Sequence, residues 1–193
     1  WTALLALRPT AGVLGTDAHQ NVLPLPARDG ERLDSYRRMF RWFSNHMRVT
    51  EITVDKVKEA LKLGRGYMVF EVLGTPDGFD FYAQAGGTTQ EMGGQVLASA
   101  APVLKVALPT LLDPDPAVTP PELDLQLLHI DTGGQQKVVA SGKSALSYKA
   151  TAAGAYRAEV YMVPKHLSSY LGPTPAKYVK RVLWIYSNPI YVK

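Results

Sequence analysis

A chain of 193 residues with 46% hydrophobic and 20% charged residues has room for one large domain or two small ones, and its composition is ordinary for a globular protein. The absence of Cys excludes disulfides and thiolate metal sites, so a metal must be held by His, Asp, Glu or backbone oxygen. The net charge of +4 sits in the first third. Residues 1–66 hold 11 Lys+Arg against 7 Asp+Glu and residues 67–193 hold 10 of each. This suits an anionic small-molecule substrate but is too small an excess for nucleic acid.

No apolar run reaches the roughly 18 residues that a bilayer span requires, and no signal-peptide pattern opens the chain. The first residue is Trp1 rather than Met, which points to a processed or truncated chain. Lack of Cys fits an envelope protein and a cytosolic one equally.

In chain order, residues 11–16 read as a short buried strand and residues 20–33 as a loop broken by Pro24, Pro26 and Asp29-Gly30. Residues 34–48 read as a helix capped by Asp34 or Ser35. Tyr36, Met39, Phe40, Phe43 and Met47 form its apolar face, and Arg37, Arg41 and Arg48 another. Such arginines are ordinarily solvated; their functional reading is an anion-attracting rim. Residues 53–63 read as a second helix, with Thr53 as N-cap, Val54, Val57, Ala60 and Leu61 as the buried stripe and Gly64 as its stop.

Beyond Gly64–Gly66 the hydrophobic period changes to two. Strands are predicted over 67–73, 79–83, 103–108, 123–130, 137–140, 146–150, 156–163, 182–186 and 190–192, with turns at Thr75-Pro76-Asp77-Gly78, Thr132-Gly133-Gly134 and Ser187-Asn188-Pro189. This density of short strands and turns suggests a β-sandwich over residues 67–193.

Gly15-Thr16-Asp17-Ala18-His19 is the motif with a chemical reading. A carboxylate and an imidazole two residues apart project to the same side of an extended segment, just past a strand end, where catalytic ligands gather in α/β architectures. A divalent-ion site is one reading; an Asp–His hydrogen bond at a strand end is the other. Arg157 and Glu159 share one face of their strand and read as an ion pair. His46, His129 and His166 show no ligand spacing.

The order strand, Gly15–His19, loop, helix and Val57–Gly66 (VKEALKLGRG) resembles the closing segment of the PHP (polymerase and histidinol phosphatase) superfamily of metallohydrolases. Gly78–Phe81 (GFDF), Glu91–Gly93 (EMG), Gly154–Val160 (GAYRAEV) and Trp184–Val192 (WIYSNPIYV) resemble a tail carried by one branch of it. The resemblance implies an α+β chain: residues 1–66 as the terminal strand–helix portion of a (β/α)7-type barrel, residues 67–193 as an appended antiparallel β-sandwich. It implies up to three divalent ions (Zn, Mn or Fe) with Asp17 and His19 among the ligands, and a metal-dependent phosphoesterase or related hydrolase. Arg37, Arg41 and His46 are the candidate substrate contacts, and the tailed branch points to the bacterial envelope. The family also opens with His-x-His, which none of the four histidines here forms. The missing ligands would therefore come from an upstream barrel segment of the same protein. The alternative is a non-catalytic binding or structural module in which the Asp17/His19 motif is vestigial.

Overall fold

The computed structural model describes residues 1–19 and 22–193. Among these, three α-helices precede most of the strands: α1 (Thr2–Leu7), α2 (Tyr36–Met39) and α3 (Val54–Leu63). Fourteen strands follow or interleave with them. They are β1 (Ser44–Met47), β2 (Gly66–Val69), β3 (Pro76–Asp77), β4 (Asp80–Ala85), β5 (Thr88–Glu91), β6 (Gln95–Val96) and β7 (Val103–Ala107), then β8 (Thr110–Leu111), β9 (Glu122–Ile130), β10 (Gln136–Gly142), β11 (Leu146–Lys149), β12 (Gly154–Val163), β13 (Val182–Ser187) and β14 (Ile190–Val192).

The long strand β12 organises an eight-stranded sheet. On one side it pairs with β9, which pairs with β10; on the other it pairs with β13 and then β14, laid end to end. β13 continues outward to β2 and β1, and β14 to β6 in parallel. A four-stranded antiparallel sheet runs β11-β7-β4-β5, and β3 with β8 forms a small ribbon. The sheets are open, and the larger one mixes parallel and antiparallel neighbours.

Side-chain alternation decides which face is buried. Along β12, Tyr156, Ala158, Val160 and Met162 point into the main core, where they join Leu125 and Leu127 from β9, Trp184 from β13, and Phe81, Leu104 and Val106 from the smaller sheet. The intervening residues Ala155, Arg157, Glu159 and Tyr161 lie on the opposite face, and α1 packs there through Leu5 against Ile130, Ala155 and Tyr191.

These observations correct the expected fold class. A (β/α)7 barrel segment followed by a separate antiparallel sandwich is not what forms. Among the described residues no barrel closes, the helices are short, and β1, from the stretch assigned to the barrel, is an edge of the sheet that also holds β13. The predicted helix over 34–48 contracts to four residues. Ser35 caps it by accepting from the Arg38 amide, and the chain then extends. The reason is tertiary: Ser44, Asn45 and His46 find partners on neighbouring elements, and Ser44–Met47 pairs with Val69–Gly66 in register, which outweighs a weak helical preference. Tyr36 and Phe40 stack on each other but remain exposed, so the predicted apolar face is not buried. The strand expected over 11–16 is extended yet belongs to no sheet.

α3 forms as predicted, with the Thr53 side chain accepting from the Lys56 amide and Gly64 stopping it at φ 68°. Of its expected buried stripe only Ala60 is fully buried. Its end is fixed by Gly93: at φ +80°, a Cβ there would stand 1.8 Å from the Leu63 carbonyl oxygen.

Candidate functional site

The expected metal ligands pair with each other instead. Asp17 Oδ1 lies 2.9 Å from His19 Nε2, with 93% of the Asp17 side chain and 68% of the His19 side chain exposed. Asp17 sits at φ 48°, a left-handed conformation that Asp tolerates. Among the described residues no group of three or more His, Cys, Asp or Glu could hold a metal ion. Two exposed donors that satisfy one another do not make the four or more an ion needs. The centre of up to three Zn, Mn or Fe ions is therefore overturned, and with it the metal-dependent phosphoesterase reading.

Arg37 and Arg41 line one cleft of about 340 Å3 together with Trp42 and Glu71. Arg37 is already held by a short bidentate contact with Glu31, and Arg38 by Asp29. His46 lies on β1, not on a helix, and its Nε2 is 2.8 Å from Glu71 Oε1. Glu71 also accepts from Ser44 (2.5 Å) and Thr75 (2.7 Å). Burial pushes the Glu71 carboxyl up, but these hydrogen bonds outweigh it and hold its pKa below the usual glutamate value. A carboxylate engaged by three hydrogen bonds ties β1 to the turn after β2; Ser44 donates to Glu71 rather than to His46, so these two do not form a nucleophile–base pair.

A second polar constellation lies along the segment that follows α1. Residues 10–18 alternate strictly, the even-numbered residues turned towards the body and the odd-numbered ones exposed. Three body side chains grip this strap at every second residue, and all three grip its backbone. The Thr10 amide donates to the Tyr191 hydroxyl at 3.0 Å. The Gly12 amide donates to Asn188 Oδ1 at 2.7 Å, and Asn188 Nδ2 returns a bond to the Gly12 carbonyl at 3.1 Å. The Leu14 amide donates to Asn45 Oδ1 at 2.8 Å, and Asn45 Nδ2 returns to the Leu14 carbonyl at 2.8 Å.

Each asparagine thus presents the donor–acceptor pair that a neighbouring strand would present. The sequence explains their positions. Pro189 has no amide hydrogen, so β13 cannot run unbroken into β14. At that break Asn188 is buried, anchored by its own amide and by Nδ2 to the Gly66 carbonyl at 3.1 Å each. Asn45 stands on β1, an outer strand of the sheet, and its side chain meets the strap on the face opposite the main core.

The start of the strap is fixed above a charged cluster. Arg157 and Glu159 form an ion pair at 2.8 Å with both side chains buried. The guanidinium also donates to Gln136 (3.0 Å) and to the Thr2 hydroxyl on α1 (3.3 Å), and lies 4.1 Å over the Tyr186 ring. Tyr161 donates its hydroxyl proton to the other Glu159 oxygen at 2.7 Å; burial first, then this bond, pushes its pKa up to about 12. Trp1 packs at a tilt against Tyr186 and donates Nε1–H to the Thr10 carbonyl at 3.1 Å.

Residue patterns predicted the Arg157–Glu159 pair but not the clamp. Its one available signal was Ser187-Asn188-Pro189, read only as a turn. Among the described residues no helix is long and apolar enough to cross a membrane. Comparison with protein-family models, with curated proteins and with solved structures finds no match. With no family match, and among the described residues neither a closed barrel nor a metal-binding cluster, membership of the PHP superfamily is not supported.

Proposed function

We propose that this chain is a non-catalytic binding and structural module whose work is to hold an extended polypeptide segment against the outer face of its large sheet. The observation that carries this reading is the alternation of the three grips: Tyr191, Asn188 and Asn45 meet the backbone of residues 10, 12 and 14. Five hydrogen bonds to backbone and none to strap side chains form a device for recognising an extended conformation. The division into 1–66 and 67–193 is carried into this reading. The first part supplies the strap and Asn45, and the second supplies Asn188, Tyr191 and the buried ion pair beneath. Asp17 and His19 have a structural role here, closing the strap's far end by their mutual hydrogen bond. Arg37 and His46 serve the packing of residues 29–47 through Glu31 and Glu71, and Arg41 lines the cleft beside them.

The test is limited proteolysis of the double variant Asn45→Ala/Asn188→Ala beside the parent chain. Cleavage within residues 8–16 is expected to accelerate at least tenfold while residues 67–193 stay resistant. An unchanged cleavage rate in the strap would remove the reading.

A further inference from the structure

We infer that the clamp accepts an extended peptide supplied in trans, in place of its own strap, and that this peptide must carry a glycine at the position Gly12 now fills. The inference rests on the reading proposed above and adds the ligand class and its selectivity.

Three observations lead to it. First, the grips read backbone, so they do not demand the strap's own side chains; any chain that is extended and offers amide hydrogens at alternate positions meets them. Proline is excluded at the first, third and fifth residues because each must donate. Second, the groove has a built end. α1 is held independently of the strap, by Leu5 in an apolar contact with Ile130, Ala155 and Tyr191 and by Thr2 on Arg157. When the strap leaves, Trp1 loses its bond to the Thr10 carbonyl and keeps its contacts with Tyr186 and Arg157. Third, the Trp1 ring sets the selectivity. A Cβ at position 12 would stand 2.6 Å from Trp1 Cζ2 and 2.8 Å from Cη2, closer than any carbon contact allows, while Asn188 holds the backbone from the other side. Glycine passes between them with the ring in place, whereas any larger residue must displace the Trp1 ring.

The occupant is thus an extended, glycine-centred segment of a protein partner. Such a segment competes with the strap. Held in cis on a short connection, the strap acts at an effective concentration on the order of mM, so the parent chain shows little binding to a dilute peptide. Opening the strap unmasks the groove.

The experiment uses the full chain throughout. Gly12→Pro removes the amide that donates to Asn188 and adds a ring against Trp1, which opens the strap and leaves the clamp untouched. Thr10→Pro, which removes the donor to Tyr191, is a second opening variant should the first fold poorly. Amide exchange over residues 10–14 is read first and is expected to rise at least tenfold. If it does not rise in either variant, the clamp reading itself fails. A fluorescent peptide of residues 8–16 is then titrated by anisotropy. The opened chain is expected to bind it at least tenfold more tightly than the parent chain does, and than the opened chain carrying Asn188→Ala does. The same peptide with alanine in place of glycine is expected to bind at least tenfold more weakly. If the strap opens and the peptide binds the opened chain no better than the Asn188→Ala form, recognition in trans is overturned while the clamp in cis stands. Equal binding of the alanine peptide would overturn the glycine requirement.

Discussion

Buried polar residues carry most of what is specific to this molecule, and Arg157 illustrates how. Its charge is removed from water together with that of Glu159, which costs several kcal/mol per ion and is offset only by dense hydrogen bonding. Here Gln136, Thr2, Tyr161 and the Tyr186 ring complete the set. Removing one partner strands the other. Arg157→Met is expected to destabilise the fold by about 3–5 kcal/mol, whereas Arg157→Met with Glu159→Leu loses far less, because no buried charge is left alone. Urea denaturation of both variants measures the difference; equal losses would show that the pair is not coupled. Glu71 makes a second case. Its pKa is held below the usual glutamate value, so its contribution is fully present above the unfolded-state pKa of about 4.3 and fades as pH falls through the lower folded value. Glu71→Gln should therefore be less stable than the parent near pH 7, with the gap closing as pH falls below about 4. A gap that widens in acid would contradict the depressed pKa. The ion pair of Arg157 and Glu159 was legible from sequence because two residues on one strand face announce themselves. The three hydrogen bonds on Glu71 were not, since Ser44 and His46 meet it only when β1 pairs with β2, and Thr75 only when the turn over Glu71–Leu73 forms.

At the level of elements, the helix α3 and the strand alternation of β9 and β12 followed from local signals: a capping Thr, a stopping Gly and a period of two. Other elements depended on contacts that local patterns do not encode. Ser44–Met47 carries residues compatible with a helix end, yet pairing with Gly66–Val69 makes it a strand. The short strands β3, β5, β6 and β8 are too brief for a period to show. The extended stretch after α1 was read as a buried strand because it is apolar; what holds it is asparagine side chains acting as a surrogate strand. The junction between α3 and the sheets turns on Gly93, whose backbone touches Leu63 and donates to the Pro189 carbonyl at 2.7 Å. Gly93→Ala adds a Cβ at a positive φ and into that contact, with an expected loss of about 2–4 kcal/mol. A thermal midpoint within a degree of the parent would mean that α3 is not anchored there.

For the molecule as a whole, two open sheets share one core, which forms the body of the fold. The first 63 residues bury little and leave many large apolar side chains exposed, among them Leu7, Leu25, Phe40 and Ile52. Their stability is expected to be local and lower than that of the body. The resemblance to a metallohydrolase family rested on short motifs whose residues are present but whose geometry is not: Asp17 and His19 face one another, with no third donor group assembled among the described residues. Accordingly, adding Zn2+ or Mn2+ at about a hundred times a micromolar Kd should leave the melting temperature unchanged, whereas a specific site would add about 2.7 kcal/mol of stability. A rise in the melting temperature abolished by Asp17→Ala would restore a metal site.

Residue-resolved amide exchange of the unmodified chain by NMR asks whether the strap is held as described. The amides of Thr10, Gly12 and Leu14 donate to Tyr191, Asn188 and Asn45, while Ala11 and Val13 are exposed between them. The predicted pattern is slow, fast, slow, fast, slow from residue 10 to residue 14. Exchange of all five at the rate of an unfolded chain, or uniform protection of all five, would contradict it.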